Sequence, residues 1–207
     1  MEKFTRLTAT ACPINRSNLN TDQIVPARYL KLPRSAGFGS VLLHDLRFDA
    51  DGNERPDFPL NQPAWRDAKI IVAGRNFACG SSREAAVYAL HDYGVRCVIA
   101  PSFGDIFAGN AVQNGLLTAI ASDVEVAELM TILGDTPHLP VSVDLERETI
   151  LCGNVSFGFT IDPVRRKRLL EGWDDIALTE SYRDQIWAFR ANDRSRRPWA
   201  MPIARSR

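Results

Sequence analysis

The segment Gly80-Ser81-Ser82-Arg83-Glu84 combines residue types that could bind an anion and remove a proton. It follows the apolar run Ile70 to Ala73 and precedes a helical pattern that reaches Tyr93, so it joins a strand to a helix. The N–H groups at a helix start favour an anion, and the guanidinium of Arg83 matches the geometry of a carboxylate. A serine oxygen anion would be stabilised by the same groups. The segment could therefore bind a small acidic substrate and supply a serine base.

The same segment also fits a structural role. Serine is a common N-cap residue, and Ser81-x-x-Glu84 fits a capping box at the start of a helix. The segment matches neither the P-loop, nor the hydrolase nucleophile elbow, nor the Rossmann glycine pattern. His44, His91 and His138 are scattered, and the sequence assigns none of them a carboxylate partner. These residues alone leave helix capping and catalysis both open.

The elements that must position this segment predict a parallel strand-helix core. Strand, helix, strand, helix and strand follow one another from Lys69 to Ala121, as in an open α/β sheet that binds ligands beyond its strand ends. Three boxes of the form Ser-x-x-acid, starting at Ser81, Ser102 and Ser122, predict the helix starts. Further expected elements are a strand over 4–12, loop-rich surface over 31–67, short antiparallel strands over 141–145, 149–152 and 155–161, a helix from Asp162-Pro163 to Gly172, and a last helix over about 180–191. The sequence therefore predicts an α/β fold with a parallel core and added antiparallel strands.

Composition indicates a globular protein without a polyanionic partner. The chain has 207 residues, of which 45% are hydrophobic and 24% charged. Lys and Arg together number 25, as do Asp and Glu, so the net charge is zero and nucleic acid is disfavoured as a partner. No apolar run approaches the roughly 20 residues that span a bilayer, and the N-terminus lacks the pattern of a secretory signal. A cytoplasmic protein that does not bind membranes is expected.

The four cysteines and the C-terminus suggest no further site. Cys12, Cys79, Cys97 and Cys152 lie far apart without a C-x-x-C pair, which favours free thiols over a zinc site or a disulfide framework. One domain over 1–190 is expected, followed by a basic tail over 191–207. The tail is interpreted as a solvated terminus in preference to a partner-binding arm, because chain termini commonly fray.

Several ordered motifs resemble one known family, the small subunits of 3-isopropylmalate dehydratase, which are similar to the mobile C-terminal domain of aconitase. The resemblance covers nearly the whole chain. Its motifs are Asn20 to Lys31, Gly37-Phe38-Gly39, Asn76-Phe77, Cys79 to Glu84, Val98 to Phe103, Asp105-Ile106-Phe107, Asn114 to Leu117, Leu169 to Gly172, Asp174-Asp175-Ile176 and Leu178-Thr179.

The resemblance implies a β/β/α swivelling domain and a hydro-lyase that interconverts 2-isopropylmalate and 3-isopropylmalate in leucine biosynthesis. It implies that Ser81 is the base that removes the proton alpha to a carboxylate, and that Arg83 binds substrate and stabilises the serine oxyanion. Ser82 and Asp22 are expected to bind substrate, as is Arg34, which lies in a stretch that resembles the family's substrate-selecting loop.

The resemblance also implies a partner and a cofactor. A large subunit would carry a [4Fe-4S] cluster that acts as Lewis acid, in a heterodimer or larger assembly. The isolated cysteines show no iron-sulfur spacing, so this chain is expected to bind no cluster and to be inactive alone. The family usually has His after Ser-Ser-Arg-Glu, where this chain has Ala85. A related hydro-lyase acting on homoaconitate, citraconate or a methylated malate, and a non-catalytic regulatory paralogue, therefore remain as alternatives.

Overall fold

The computed structural model describes residues 1–80 and 83–200, so Ser81, Ser82 and 201–207 lie outside the described part of the chain. The contacts divide the chain into two compact units, Met1–Gly172 and a second that begins at Trp173. The first unit contains a seven-stranded sheet with the order β4-β3-β2-β1-β5-β6-β7. The strands are β1 (Arg6–Ile14), β2 (Ile70–Ala73), β3 (Cys97–Ala100), β4 (Leu117–Ile120), β5 (Pro140–Asp144), β6 (Thr149–Cys152) and β7 (Val155–Gly158).

The long strand β1 joins a parallel half of the sheet to an antiparallel half. It pairs in parallel with β2, with Cys12 opposite Ile71, and in antiparallel with β5, with Leu7 opposite Val143. The pairs β2–β3 and β3–β4 are parallel, whereas β5–β6 and β6–β7 are antiparallel. Beyond these ladders, Ile120 and Thr160 exchange two backbone hydrogen bonds of 3.0 and 2.7 Å, so the two ends of the sheet meet. The predicted α/β class, with a parallel core and antiparallel strands, is confirmed.

Eight α-helices are described: α1 (Thr21–Ile24), α2 (His44–Arg47), α3 (Glu84–Tyr93), α4 (Asp105–Gln113), α5 (Asp123–Asp135), α6 (Pro163–Glu171), α7 (Asp175–Glu180) and α8 (Arg183–Arg196). Short 3-10 turns lie at Ala27–Tyr29, Arg34–Ala36, Gly39–Val41, Pro59–Asn61 and Pro198–Ala200. The expectation of a loop-rich stretch over 31–67 is confirmed, because the stretch holds 3-10 turns, an isolated β-bridge and the four-residue α2. The expectation that this stretch is surface is wrong in part, because Leu42, Leu43 and Leu60 are buried in the core.

The parallel strands are buried on both faces. Ile70 and Val72 of β2 belong to one buried cluster, whereas Ile71 and Ala73 belong to another on the opposite face of the sheet. Helix α3 covers the cluster of Ile71, and helix α5 covers that of Ile70. A strand covered on both sides needs apolar residues at every position, which explains the continuous apolar run in the sequence.

The three predicted capping boxes have different outcomes. Ser122 caps α5, with both reciprocal hydrogen bonds to Glu125 formed, as predicted. The box at Ser102 is wrong, because the N-cap of α4 is Gly104 and the hydroxyl of Ser102 accepts a hydrogen bond from the backbone N–H of Asn76 instead. The box at Ser81 is also wrong, because Glu84 is the first residue of α3 and not the third.

The C-terminal elements match the sequence in part. Asp162 caps α6 and the left-handed Gly172 ends it, as predicted. A single helix over about 180–191 was expected, but α7 comes first and α8 runs on to Arg196, into the stretch expected as a basic tail. None of the described residues from Trp173 onward is buried. The domain boundary expected near residue 190 stays a prediction.

Candidate active site

The segment after β2 lies between the loops that follow β1 and β3. The backbone N–H of Ala78 donates to Leu19 O at 2.7 Å on one side. On the other side, Phe77 donates to Ser102 O and Gly104 donates to Phe77 O, both at 2.9 Å. The segment thus continues the parallel hydrogen-bonding pattern beyond the strand ends, which is where open α/β sheets bind ligands.

Two glycines allow the backbone of the segment to lie this close to the neighbouring loops. A Cβ atom on Gly74 would lie 2.6 Å from Arg16 O, and one on Gly104 would lie 2.5 Å from Ala78 O. No side chain can be accommodated at such distances from backbone atoms, so both positions require glycine. The position of the segment is therefore set by backbone contacts on both sides.

The backbone of the segment turns three times into the left-handed region. Asn76, Ala78 and Gly80 have φ angles of 61°, 56° and 89°. Asparagine and glycine tolerate this conformation, but alanine adopts it only at a cost in free energy. Asn76 is held from two sides, since its N–H donates to the Ser102 hydroxyl and its side-chain amide donates to Asn18 Oδ1, both at 2.9 Å. Strain that is held in place in this way is typical of functional sites.

Arg83 and Asp22, two of the predicted site residues, meet in an ion pair beside this segment. Arg83 is the N-cap residue of α3, and its Nη1 donates to Asp22 Oδ1 at 2.7 Å. The pair is solvent-accessible, with 38% of the Arg83 side chain and 61% of the Asp22 side chain exposed. Asp22 thus contacts one terminal nitrogen of the guanidinium, and part of the Arg83 side chain is accessible to solvent.

Helix α1 positions Asp22. A capping box formed by Asn20 and Gln23 starts the helix, with hydrogen bonds of 2.8 and 3.0 Å. The N–H of Thr21 donates to Cys79 O at 3.2 Å and joins α1 to the strained segment. The chain on either side of Ser81 and Ser82, which lie outside the described residues, is therefore fixed with respect to Asp22.

Arg34 contacts a different part of α3. Its two terminal nitrogens donate to both carboxylate oxygens of Asp92 at 2.6 and 2.7 Å, and its guanidinium lies 4.4 Å from the ring centre of Tyr88. The structure thus brings Arg83 and Asp22 together and binds Arg34 elsewhere on the same helix. Arg34 as a substrate ligand stays a prediction.

Sequence reasoning missed residues that hold the site in place. Hydrogen bonds hold the segment after β2 through Asn18, Asn76 and Ser102. Another holds the loop of Arg34 and Phe38 through Asp92. Asparagine tolerates left-handed backbone better than most residues, and this weak signal could have identified Asn18 and Asn76, which both have positive φ angles. Asp92 carries no local signal, because its partners lie more than 50 positions away in the sequence.

The described cysteines do not form a metal site. Within residues 1–80 and 83–200, no three side chains of His, Cys, Asp or Glu are grouped so that they could hold a metal ion. Cys12 lies in one buried cluster, whereas Cys97 and Cys152 lie in the other across the sheet. Burial raises the pKa of all three thiols, which disfavours the thiolate form that a metal requires.

Comparison with known proteins identifies the family. The family model for the aconitase C-terminal domain matches residues 1–123. A protein of Rhodospirillum centenum named 3-isopropylmalate dehydratase small subunit is 49% identical, over 97% of this chain and 100% of its own length. A protein of Jannaschia sp. with the same name is 48% identical, over 96% of this chain and 100% of its own length.

A solved structure agrees with these relatives. The crystal structure of 3-isopropylmalate dehydratase from Methanocaldococcus jannaschii superposes with a TM-score of 0.65 at 26% identity, and the match covers 89% of this chain and 99% of that one. The chain belongs to the aconitase C-terminal domain family, among the small subunits of 3-isopropylmalate dehydratase. No helix in the described part of the chain is long and apolar enough to cross a membrane.

Proposed function

We propose that this chain works as the small subunit of a 3-isopropylmalate dehydratase, a hydro-lyase of leucine biosynthesis that interconverts 2-isopropylmalate and 3-isopropylmalate. The observation that carries the proposal is the identity of 44 to 49% to proteins of that name over nearly the full length of the chain. The strained segment and the Arg83–Asp22 pair beyond the carboxyl ends of the parallel strands support it, because this is a place for a small anionic substrate.

In the proposed site, Arg83 binds a carboxylate of the substrate. A guanidinium presents parallel N–H donors that match two carboxylate oxygens, and the N-terminus of α3 adds the positive end of its dipole. Asp22 keeps the guanidinium oriented until substrate arrives. Asp22 and Ser82 are also proposed to contact the substrate directly. They would bind polar groups of the substrate other than the carboxylate.

The base of the reaction is proposed to be Ser81. Its oxygen would take the proton from the carbon next to a carboxylate. The electron pair of that C–H bond would form a double bond to the neighbouring carbon as the C–O bond there breaks and the hydroxyl group leaves with its electron pair, as water once protonated. Arg83 and the N-terminus of α3 would stabilise the negative charge on the serine oxygen before the transfer. Gly80, with a φ angle of 89°, gives the chain the freedom to turn directly before this residue.

The proposal places the iron-sulfur cluster and the rest of the site on a large subunit. The described residues of this chain do not fit a cluster, because three of its four cysteines are buried, one on one face of the sheet and two on the other. In the family the cluster serves as a Lewis acid for the departing hydroxyl group. The small-subunit name of its relatives implies such a partner for this chain, in a heterodimer or larger assembly. The cytoplasmic location expected from the sequence stays a prediction.

Reconstitution tests this function. The chain is co-expressed with the large subunit of its own organism, the cluster is rebuilt without oxygen, and isopropylmalate, homoaconitate, citraconate and methylated malates are supplied in turn. We expect turnover of isopropylmalate in preference to the others, and none by either subunit alone. Preference for another substrate would assign the chain to a related hydro-lyase, and a complex that turns over none would favour a regulatory paralogue.

The same assay tests whether Ala85 limits catalysis. The resemblance described above implies His at this position. Ala85 is partly buried here and packs against the core from helix α3. We expect Ala85→His to leave complex formation intact. A marked gain in turnover with that variant would show that the wild-type chain is an impaired catalyst.

A further inference from the structure

Three residues on helix α3 form a continuous polar row that starts at the site. Glu84, Tyr88 and Asp92 are spaced four apart, so they lie on one face of the helix. Burial and the neighbouring carboxylate of Glu84, which directly follows Arg83 in the chain, raise the pKa of the Tyr88 hydroxyl. The row therefore connects the N-terminus of α3, where the site lies, to the last turn of the helix.

The loop that contains Arg34 is fastened to the far end of this row. The side chain of Asp92 accepts two hydrogen bonds from Arg34 and a third, of 2.8 Å, from the backbone N–H of Phe38. Arg34 also lies over the ring of Tyr88, in the range of a cation–π contact. One carboxylate thus binds both a side chain and a main-chain group of the same loop.

The backbone of this loop fits closely against α3. Gly37 has a φ angle of 72°, and a Cβ atom on Gly39 would lie 2.8 Å from the carbonyl group of Asp92. A larger residue at position 39 could not lie so close to the helix, whereas the positive φ angle is what favours glycine at position 37. Only 17% of the Asp92 side chain is exposed, whereas half of the Arg34 side chain is.

We propose that Asp92 is a positioning residue that holds the 34–39 loop against helix α3 of the proposed site. The hydrogen bonds of Asp92 to Arg34 and to the Phe38 N–H are called the latch below. The inference rests on the proposed function, since it assumes that substrate binds at the N-terminus of α3. The guanidinium of Arg34 is engaged by Asp92 and serves to fix the loop. Its charge acts on substrate only through the loop that it holds.

Hydrogen exchange tests the latch itself and does not require activity. Asp92→Ala removes the acceptor of the Phe38 N–H, and alanine preserves the helix. We expect exchange at the Phe38 amide to rise about tenfold or more, the factor that corresponds to loss of a hydrogen bond to a charged group. Glu54→Ala is the matched control, because Glu54 also holds an arginine, Arg66, by two hydrogen bonds. Unchanged exchange at Phe38 would overturn the latch.

Kinetics of the reconstituted complex test the positioning role. We expect Asp92→Ala and Arg34→Ala to raise KM for isopropylmalate by similar factors, about tenfold, with a smaller change in kcat, and the double variant to add no further loss. Asp92→Glu should recover part of the effect, and Glu54→Ala should change neither constant.

The outcomes separate this proposal from the proposed function. If Arg34 bound substrate directly, Asp92→Ala would free its guanidinium and KM would fall or stay constant, which would overturn the positioning role. A KM that does not change although the Phe38 amide exchanges faster would overturn it as well. If the wild-type complex does not turn over isopropylmalate while the exchange result holds, the proposed function fails and the latch stands as a structural feature.

Discussion

At the scale of single residues, Arg83 and Asp22 form the part of the proposed site that the structure describes. The two residues lie 61 positions apart in sequence, and they meet because a hydrogen bond joins α1 to the strained segment before α3. The pair is exposed, so its contribution to stability is expected to be below about 1 kcal/mol. We therefore expect the pair to matter for the proposed ligand binding more than for folding.

Because the Arg83–Asp22 pair contributes little to stability, Arg83→Lys should affect activity more than folding. The variant keeps the charge but loses the planar pair of donors, so kcat/KM of the reconstituted complex should fall about 10- to 100-fold. The melting temperature of the chain should stay within about 2 °C of the wild type. Arg66→Lys, which changes another exposed arginine in a two-hydrogen-bond pair, should leave both quantities unchanged. A large loss of stability with Arg83→Lys would show that the pair is structural.

At the scale of elements, the segment after β2 is shaped by its neighbours more than by its own sequence. The loops after β1 and β3 supply the hydrogen bonds that hold its left-handed residues, and Gly104 lets the second loop approach. This explains why the capping box predicted at Ser122 is correct and the one predicted at Ser102 is wrong. Ser122 starts its helix through local contacts alone, whereas Ser102 binds Asn76, which is 26 positions away.

Other elements were predictable because their cause is local. The apolar run of β2, the Asp162-Pro163 start of α6 and its end at Gly172 follow from residue types within a few positions. The curl that joins Ile120 to Thr160 and the binding of Arg34 by Asp92 depend on the folded arrangement. The residue types of the site could thus be read from the sequence, but the hydrogen bonds that support it could not.

The close approach at Gly104 gives a second prediction. Gly104→Ala would place a Cβ atom 2.5 Å from Ala78 O, so it should destabilise the chain by about 1 to 3 kcal/mol and displace the segment. Gly109→Ala is the control within the same helix, since a Cβ atom there meets nothing within 4 Å and should stabilise the helix by up to about 1 kcal/mol. Urea unfolding of both variants provides the measurement. Equal stability of the two would contradict the close approach.

The latch predicts a dependence of stability on pH. Burial alone would raise the pKa of Asp92, but the hydrogen bonds from Arg34 and from the Phe38 N–H outweigh it, and the pKa is lowered. A lowered pKa means that the carboxylate contributes stability above its ordinary pKa of about 3.9 and loses it as the pH falls through the lower folded-state value. The difference in unfolding free energy between wild type and Asp92→Ala should be about 1 kcal/mol at pH 7 and shrink below about pH 4. A difference that is constant over this range would point to packing.

At the scale of the whole molecule, the proposed function makes this chain one half of a shared site. Its core separates the buried cysteines onto two faces of the sheet, and its exposed Arg83 and Asp22 face solvent. We predict that only Cys79, which is partly exposed, reacts rapidly with a maleimide in the native chain. Mass spectrometry should find one label before unfolding and four after it, and Cys79→Ser should remove the rapid phase. Rapid labelling of two or more thiols would contradict the burial of Cys12, Cys97 and Cys152.

The central claim is that this chain supplies the base of a shared hydro-lyase site, and Ser81→Ala in the reconstituted complex tests it most directly. Ser156→Ala, an exposed serine on β7, is the control. With assembly confirmed by size-exclusion chromatography, we predict that Ser81→Ala lowers kcat for isopropylmalate about 10²- to 10⁴-fold, as expected when a general base is lost, whereas Ser156→Ala leaves it unchanged. Wild-type turnover by an assembled Ser81→Ala complex would contradict the claim.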